Sequence, residues 1–214
     1  MRRVLFFLFV VILFSCNDSR KIPESFDYGK VENGVYKNNF FDFELPIPAE
    51  WNVQSKEQND KIGEEGRKII GEHNKELSEK IKADEVNSAT LLAVFKYKDD
   101  TVVGKFNPSF GMIAENLGKF SGSRTAKNYL EKAKSLMQQS GIPYHFAPDI
   151  TTEKLGNKEF ALLKLTATYK SNIDVDQLYY CCIENGFALS VIASFGDDEQ
   201  KKELLNILST IRFK

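Results

Sequence analysis

Three thiols, two imidazoles and three acidic clusters are the groups in this 214-residue chain best equipped for chemistry. Cys181 and Cys182 are adjacent, and neighbouring side chains on a strand point to opposite faces. An ordinary disulfide between them is geometrically poor. That leaves a redox-active vicinal pair or two small buried hydrophobes, the usual condition of a free cysteine. His73 with Glu76 three residues on could place two metal-capable groups on one helical face, but catalytic zinc sites take three protein ligands and a third is not evident. The competing reading is a histidine at the rim of a core stripe. His145, in Tyr144-His145-Phe146, has no local partner. Asp174-Val175-Asp176 could hold calcium, an ion that favours oxygen ligands. Turn chemistry and helix capping explain that cluster, Asp99-Asp100 and Asp197-Asp198-Glu199 equally well. No nucleophile elbow and no glycine-rich phosphate loop occurs. No catalytic residue, metal or cofactor is assigned.

Cys16 is different, because its neighbours say what happens to it. Arg2 and Arg3 precede an unbroken apolar run over residues 4–14, followed by Ser15-Cys16 and polar Asn17, Asp18 and Ser19. A basic start, a short apolar core and a small residue before the cut mark an export signal. The run falls well short of the ~20 residues of a spanning helix. Leu13-Phe14-Ser15-Cys16 resembles a relaxed bacterial lipobox, with Phe14 bulkier than the usual small residue. The resemblance implies a diacylated Cys16 thiol, cleavage before it and an acylated new amino terminus. Residues 1–15 then form a lipoprotein signal peptide, 16–33 a lipidated tether and 34–214 one domain.

Without residues 1–15, 27 basic residues face 30 acidic ones, a net charge of −3. Near neutrality of mixed sign excludes a nucleic-acid partner, which needs a basic face. Membrane contact should come from acyl chains, of which two or more give stable anchoring. A body of this size buries about 70% of its unfolded surface and needs no disulfide staple.

The elements that must position any site follow from periodicity. Residues 17–33 are polar and aperiodic and read as flexible tether. Residues 35–38 and 41–47 read as strands, the second alternating Phe41, Phe43, Leu45 and Ile47 with polar residues and limited by Pro46 and Pro48. A short strand begins at Trp51. Ser55 with Gln58 forms a capping box opening one long helix, with Ile62, Ile69, Ile70, His73, Leu77 and Ile81 at helical spacing. Gly63, Gly66 and Gly71 each weaken it by ~1 kcal/mol. Ala89, Leu91, Ala93, Phe95 and Tyr97 form one face of a strand that ends at a Lys98-Asp99-Asp100 turn, and residues 110–116 form another strand. Ser123 or Thr125 caps a second helix with Ala126, Tyr129, Leu130, Ala133 and Leu136 on one stripe, stopped by Gly141 and Pro143. Gly156-Asn157 joins two strands, with Leu163, Leu165, Ala167 and Tyr169 on one face of the longer, and Ser171–Asp174 turns the chain again. Asn185-Gly186, a type I′ signal, pairs Glu184 with Phe187, Cys182 with Leu189, Tyr180 with Val191 and Leu178 with Ala193. Cys182 then lies on a strongly apolar face and Cys181 on a half-buried one. Asp197 with Gln200 caps a last helix carrying Leu204, Leu205, Leu208 and Ile211. Loop aromatics Phe106, Phe110 and Phe120 either mark a partner surface or plug the ends of the body.

The stretch Gly34-Val35-Tyr36-Lys37-Asn38-Asn39-Phe40-Phe41-Asp42-Phe43-Glu44-Leu45-Pro46-Ile47-Pro48-Ala49-Glu50-Trp51 resembles the opening of PsbP-like domains, the fold shared with Mog1. Ile207-Leu208-Ser209-Thr210-Ile211-Arg212-Phe213 resembles their closing helix and terminal segment. The resemblance implies an α+β fold, an α/β/α sandwich whose central antiparallel sheet is flanked by three helices, and binding roles rather than catalysis. Fold analogy does not choose among such roles, and the lipid anchor rules out a nuclear GTPase-binding one. The expectation is an exported, lipid-anchored envelope protein acting as a non-catalytic binding or accessory module, with a protein partner in the envelope. The alternatives are a small-ligand carrier, which needs a cavity of a few hundred Å³, and a hydrolase-type enzyme whose site assembles from distant residues.

Overall fold

The computed structural model describes residues 21–98, 106–118, 125–169 and 173–214. Cys16 with its signal, Asp99-Asp100, Phe120, Ser123 and the start of the 171–174 turn lie outside these residues.

Two antiparallel sheets share one core. The smaller contains β1 (Lys30–Glu32), β2 (Val35–Asn38), β3 (Phe43–Pro46) and β12 (Arg212–Phe213), in the order β1-β2-β3-β12. The larger contains β4 (Asn52–Val53), β5 (Ser88–Phe95), β6 (Ser109–Asn116), β7 (Tyr144–Phe146), β8 (Thr151–Leu155), β9 (Lys158–Tyr169), β10 (Ile173–Glu184) and β11 (Phe187–Phe195). Its order is β4-β5-β6-β11-β10-β9-β7, with β8 also on the outer edge of β9. Among the described residues four α-helices complete the body, α1 (Lys56–His73), α2 (Lys75–Asp84), α3 (Ala126–Gln139) and α4 (Asp198–Leu208), with a short 3-10 turn at Glu85–Asn87.

The large sheet is buried on both faces. On one, Leu92, Met112, Leu162, Tyr180, Cys182 and Val191 meet the small sheet and the Leu204 and Leu208 side of α4. On the other, Leu163, Leu165, Tyr179 and Cys181 lie beneath Leu130 and the partly buried Ala126, Tyr129, Ala133 and Met137 of α3. The architecture is α+β and mostly antiparallel. The expected three-helix sandwich differs in two respects. The opening strands make a second sheet instead of extending the first, and the long helix is two helices. Asn74 splits it because its backbone is extended (φ −146°, ψ 91°) while its side chain accepts from the Leu77 N–H, so it caps α2 just where α1 ends.

The pairing register of β10 with β11 is the one Asn185-Gly186 dictates, including Glu184 with Phe187 and Cys182 with Leu189. Asn185 and Gly186 have φ of 51° and 81°, as a type I′ turn requires. Cys181 is fully buried, not half-buried, because α3 covers the face expected to be partly open. On α3, Leu136 points outward at 38% exposure and Met137 completes the stripe.

The apolar face of β5 also differs from its sequence pattern. Ala89 and Leu91 are buried, but so are Leu92 and Val94, while Tyr97 is exposed. Pairing with β6 skips a residue between Thr90 and Leu92. One inserted residue flips every later side chain to the opposite face.

The tether expected over residues 16–33 is corrected for its described part. Phe26 is 6% exposed and stacks against Tyr28, Phe40, Phe41 and Phe187, with ring centroids 4.8–6.1 Å apart. Asp27 accepts from the backbone N–H groups of Gly29 and Asn39, both at 2.8 Å. Asn38 donates to the Asp27 carbonyl at 3.0 Å and Tyr36 to that of Tyr28 at 2.7 Å. Upstream, the Ile22 N–H reaches the Val86 carbonyl at 3.1 Å. Polar composition is compatible with this packing because one aromatic residue and a few satisfied polar groups fasten the segment.

Candidate functional site

A cleft of about 570 Å³ lies between α1, the beginning of β5 and the Tyr28-Gly29 bend. Its origin is local. β4 pairs with β5 only at Val94 and Phe95, and the Gln54 N–H adds one bond to the Ala93 carbonyl at 2.9 Å. The capping box then turns the chain away: the Gln58 N–H donates to Ser55 Oγ at 3.3 Å and the Ser55 N–H to Gln58 Oε1 at 2.7 Å. α1 therefore stands off the sheet. None of its 18 residues is buried, and α2 is its main packing partner.

One side of α1 forms a wall of the cleft through Lys56, Asn59, Asp60, Gly63 and Arg67, spaced at three, four and seven residues as one helical face demands. Ser88, Ala89, Thr90 and Leu91 form the facing wall. Lys56 Nζ pairs with Asp60 Oδ2 at 2.8 Å, and hydrogen bonding to that carboxylate raises the Lys56 pKa. Arg67 pairs with Glu85 across the cleft. With its charges paired in this way, the site offers hydrogen-bonding surface. Asn59 Oδ1 is buried without a hydrogen-bond partner among the described residues, as is Oδ1 of Asn87, which lies between cleft residues Glu85 and Ser88. At Gly63 an added Cβ would meet only the Arg67 guanidinium, at 3.5 Å, so its missing side chain helps keep the cleft open.

The residues singled out by their chemistry lie elsewhere. His73 and Glu76 are separated by the break at Asn74, which removes their shared helical face. The His73 side chain instead packs on Gly141, where a Cβ would stand 2.3 Å from it. His145 is exposed on β7, opposite Thr166. Asp174 and Asp176 accept from Thr168 and Thr166, each at 2.6 Å, so the pair forms a cross-strand ladder. Asp197 caps α4 by accepting from the Gln200 N–H at 2.8 Å. Cys181 and Cys182 are free and buried on opposite faces. Burial raises both thiols, Cys182 to about 12. Among the described residues no cluster of three His, Cys, Asp or Glu could hold a metal. Phe110 is core at 1% exposure, and Phe106 lies against Gly196 and α4 through Gln200.

Periodicity marks where a helix runs, and it does not reveal that the helix leaves a gap beneath it. The available signals were the polar face of α1 and its glycines.

No family model matches the chain, and no curated protein does. Solved structures do show similarity. Cyanobacterial PsbP from Synechocystis sp. PCC 6803 has a TM-score of 0.47 at 10% identity, over 87% of this chain and 96% of that one. LpqN, described as involved in cell envelope biogenesis of Mycobacterium tuberculosis, has 0.38 at 14%, over 79% and 81%. PA94 of Pseudomonas aeruginosa, a protein of unknown function, has 0.43 at 9%, over 55% and 81%. A PsbP is thus among the structures similar to this chain. At these scores and identities none lends its role to the chain.

Proposed function

We propose that this chain is a lipid-anchored envelope protein whose folded body is a binding module without chemistry of its own, and that the cleft beside α1 is its binding site. The observation that carries the reading is the cleft itself. Its volume lies within the few hundred to ~1,000 Å³ typical of ligand sites, and polar residues of α1, among them Asn59 and Asp60, line it. Paired charges favour binding over catalysis: Asp60 and Glu85, the acids of the cleft, each hold a cation. The same volume suits a small-ligand carrier, but the cleft opens to solvent on one side. The anchor reading comes from the Leu13–Cys16 motif.

Two measurements test this. Cys16→Ser should release the protein from the membrane fraction and remove the acyl mass; retention with unchanged mass rejects the anchor. A photo-crosslinking phenylalanine analogue at Tyr28, which lines the cleft and is 50% exposed, should form adducts in intact cells. The same analogue at Leu136, exposed on the outer side of α3, should not. Equal labelling from both positions, or none from Tyr28, rejects the cleft as the binding site.

A further inference from the structure

We infer that the cleft takes an extended peptide, added as a strand to the open edge of β5; this rests on the cleft being the binding site. Four consecutive residues, Ser88, Ala89, Thr90 and Leu91, line it. Successive side chains of a strand point to opposite faces, so a cavity lined by four in a row meets the strand at its edge, where backbone N–H and C=O groups emerge. One edge of β5 is paired with β6 over Ser88–Phe95. On the other, β4 covers Val94 and Phe95 and Gln54 reaches Ala93. Among the described residues no strand pairs with that edge from Ser88 to Leu92. An unpaired edge is a template for another chain, and strand addition draws its affinity from main-chain hydrogen bonds.

The surroundings select the occupant. The bared stretch is about 13 Å long at ~3.3 Å per residue, which fits roughly four peptide residues. The bulge beside Leu91 twists the edge and ends the pairing run there. Symmetric pairing of two copies through this same edge is disfavoured, because α1 forms the opposite wall of the cleft in each. A single flexible strand fits between the two walls. Its far side faces the α1 wall, where the paired charges of Lys56, Asp60, Arg67 and Glu85 suit polar side chains of either sign.

The test uses the full chain in detergent and a phage-displayed random octapeptide library, with synthetic copies of the selected peptides as probes. Bound peptide should slow hydrogen exchange at least ten-fold at those Ser88–Leu91 amides that face the open edge, the others being directed at β6. Methylating the peptide nitrogens at every second residue should abolish binding in one phase and spare it in the other, since alternate N–H groups face the paired strand. Gly63→Leu should block binding, whereas Gly66→Leu, at a helix position with nothing within 4 Å and outside the cleft lining, should not. Thermal melts of both variants check folding. Binders indifferent to N-methylation, protection away from β5, or a library that yields no binder each overturn strand addition. If Tyr28 still crosslinks in cells, the cleft reading survives that failure; if it does not, both fall.

Discussion

Single residues decide how the body responds to pH. Burial raises the Cys182 thiol from 9.0 to about 12 and the Tyr180 hydroxyl from 10.0 to about 12. Each prefers its neutral form when folded, so the stability it adds is complete below its unfolded pKa and is lost as pH rises through the folded one. Urea midpoints should therefore hold to pH 9 and fall steadily towards pH 12; a flat profile across that window would contradict the burial. Native protein at pH 8 should resist thiol alkylation at Cys181 and Cys182 and react only on unfolding. Asp27 behaves oppositely. Burial, the largest single influence, raises its pKa, but the hydrogen bonds from Asn39 and Gly29 and the Lys30 charge together outweigh it and the net shift is downward. Its contribution is present above the unfolded pKa and lost as pH falls. Asp27→Ala should cost about 1.5–3 kcal/mol, the range for hydrogen bonds to a charged group. Fluorescence of Trp51, the single tryptophan, buried and donating to Glu203 at 3.3 Å, reports the unfolding.

At the scale of elements, turn chemistry was the most legible part of the sequence. Asn185-Gly186 specified a register over nine residue pairs. Asn33-Gly34 carries the same signal, with φ of 51° and 75°, and pairs Glu32 with Val35. It was missed because Lys30-Val31-Glu32 shows no apolar alternation: β1 is exposed throughout. A stretch that buries no face leaves no periodic trace, and its pairing shows only in three dimensions. The β5 bulge was hidden for a related reason, since skipping one residue depends on the partner strand. The cleft was hidden too, because it is the space where β4 stops short and α1 stands away. Two glycines separate backbone cost from collision. Gly186, with nothing within 4 Å of an added Cβ, should lose about 1–2 kcal/mol on Gly186→Ala through left-handed backbone alone. At Gly156 an added Cβ would stand 1.9 Å from the Ile211 carbonyl oxygen, so Gly156→Ala should cost clearly more in the same denaturation assay.

For the whole molecule, the central sheet holds one core against the small sheet and α4 and another against α3. The α1–α2 pair lies outside both: α1 buries no residue and α2 buries only Leu77. Stability is spread accordingly. Gly66→Ala should raise helix stability by ~1 kcal/mol or less while shifting the global melt little, because regions with few buried contacts open locally before the core does. Hydrogen exchange should show α1 opening at lower free energy than β9, β10 and β11. Uniform protection across all four would refute this division.

The bond from the Ile22 N–H to the Val86 carbonyl has a consequence for where the protein can work. It fastens the chain one residue from Glu85 and two from Ser88, at the threshold of the cleft. If Cys16 carries the lipid, five residue steps separate it from Lys21, a reach of at most ~18 Å at about 3.6 Å per residue. The body then floats like a buoy on a short mooring, its receptive side close to the bilayer. On the proposed anchor and binding role, the segments within its reach would be those emerging from the same membrane. Inserting about 20 flexible residues after Asn17 should lower the yield of Tyr28 crosslinks to such neighbours, and an unchanged yield would show that the mooring length is irrelevant.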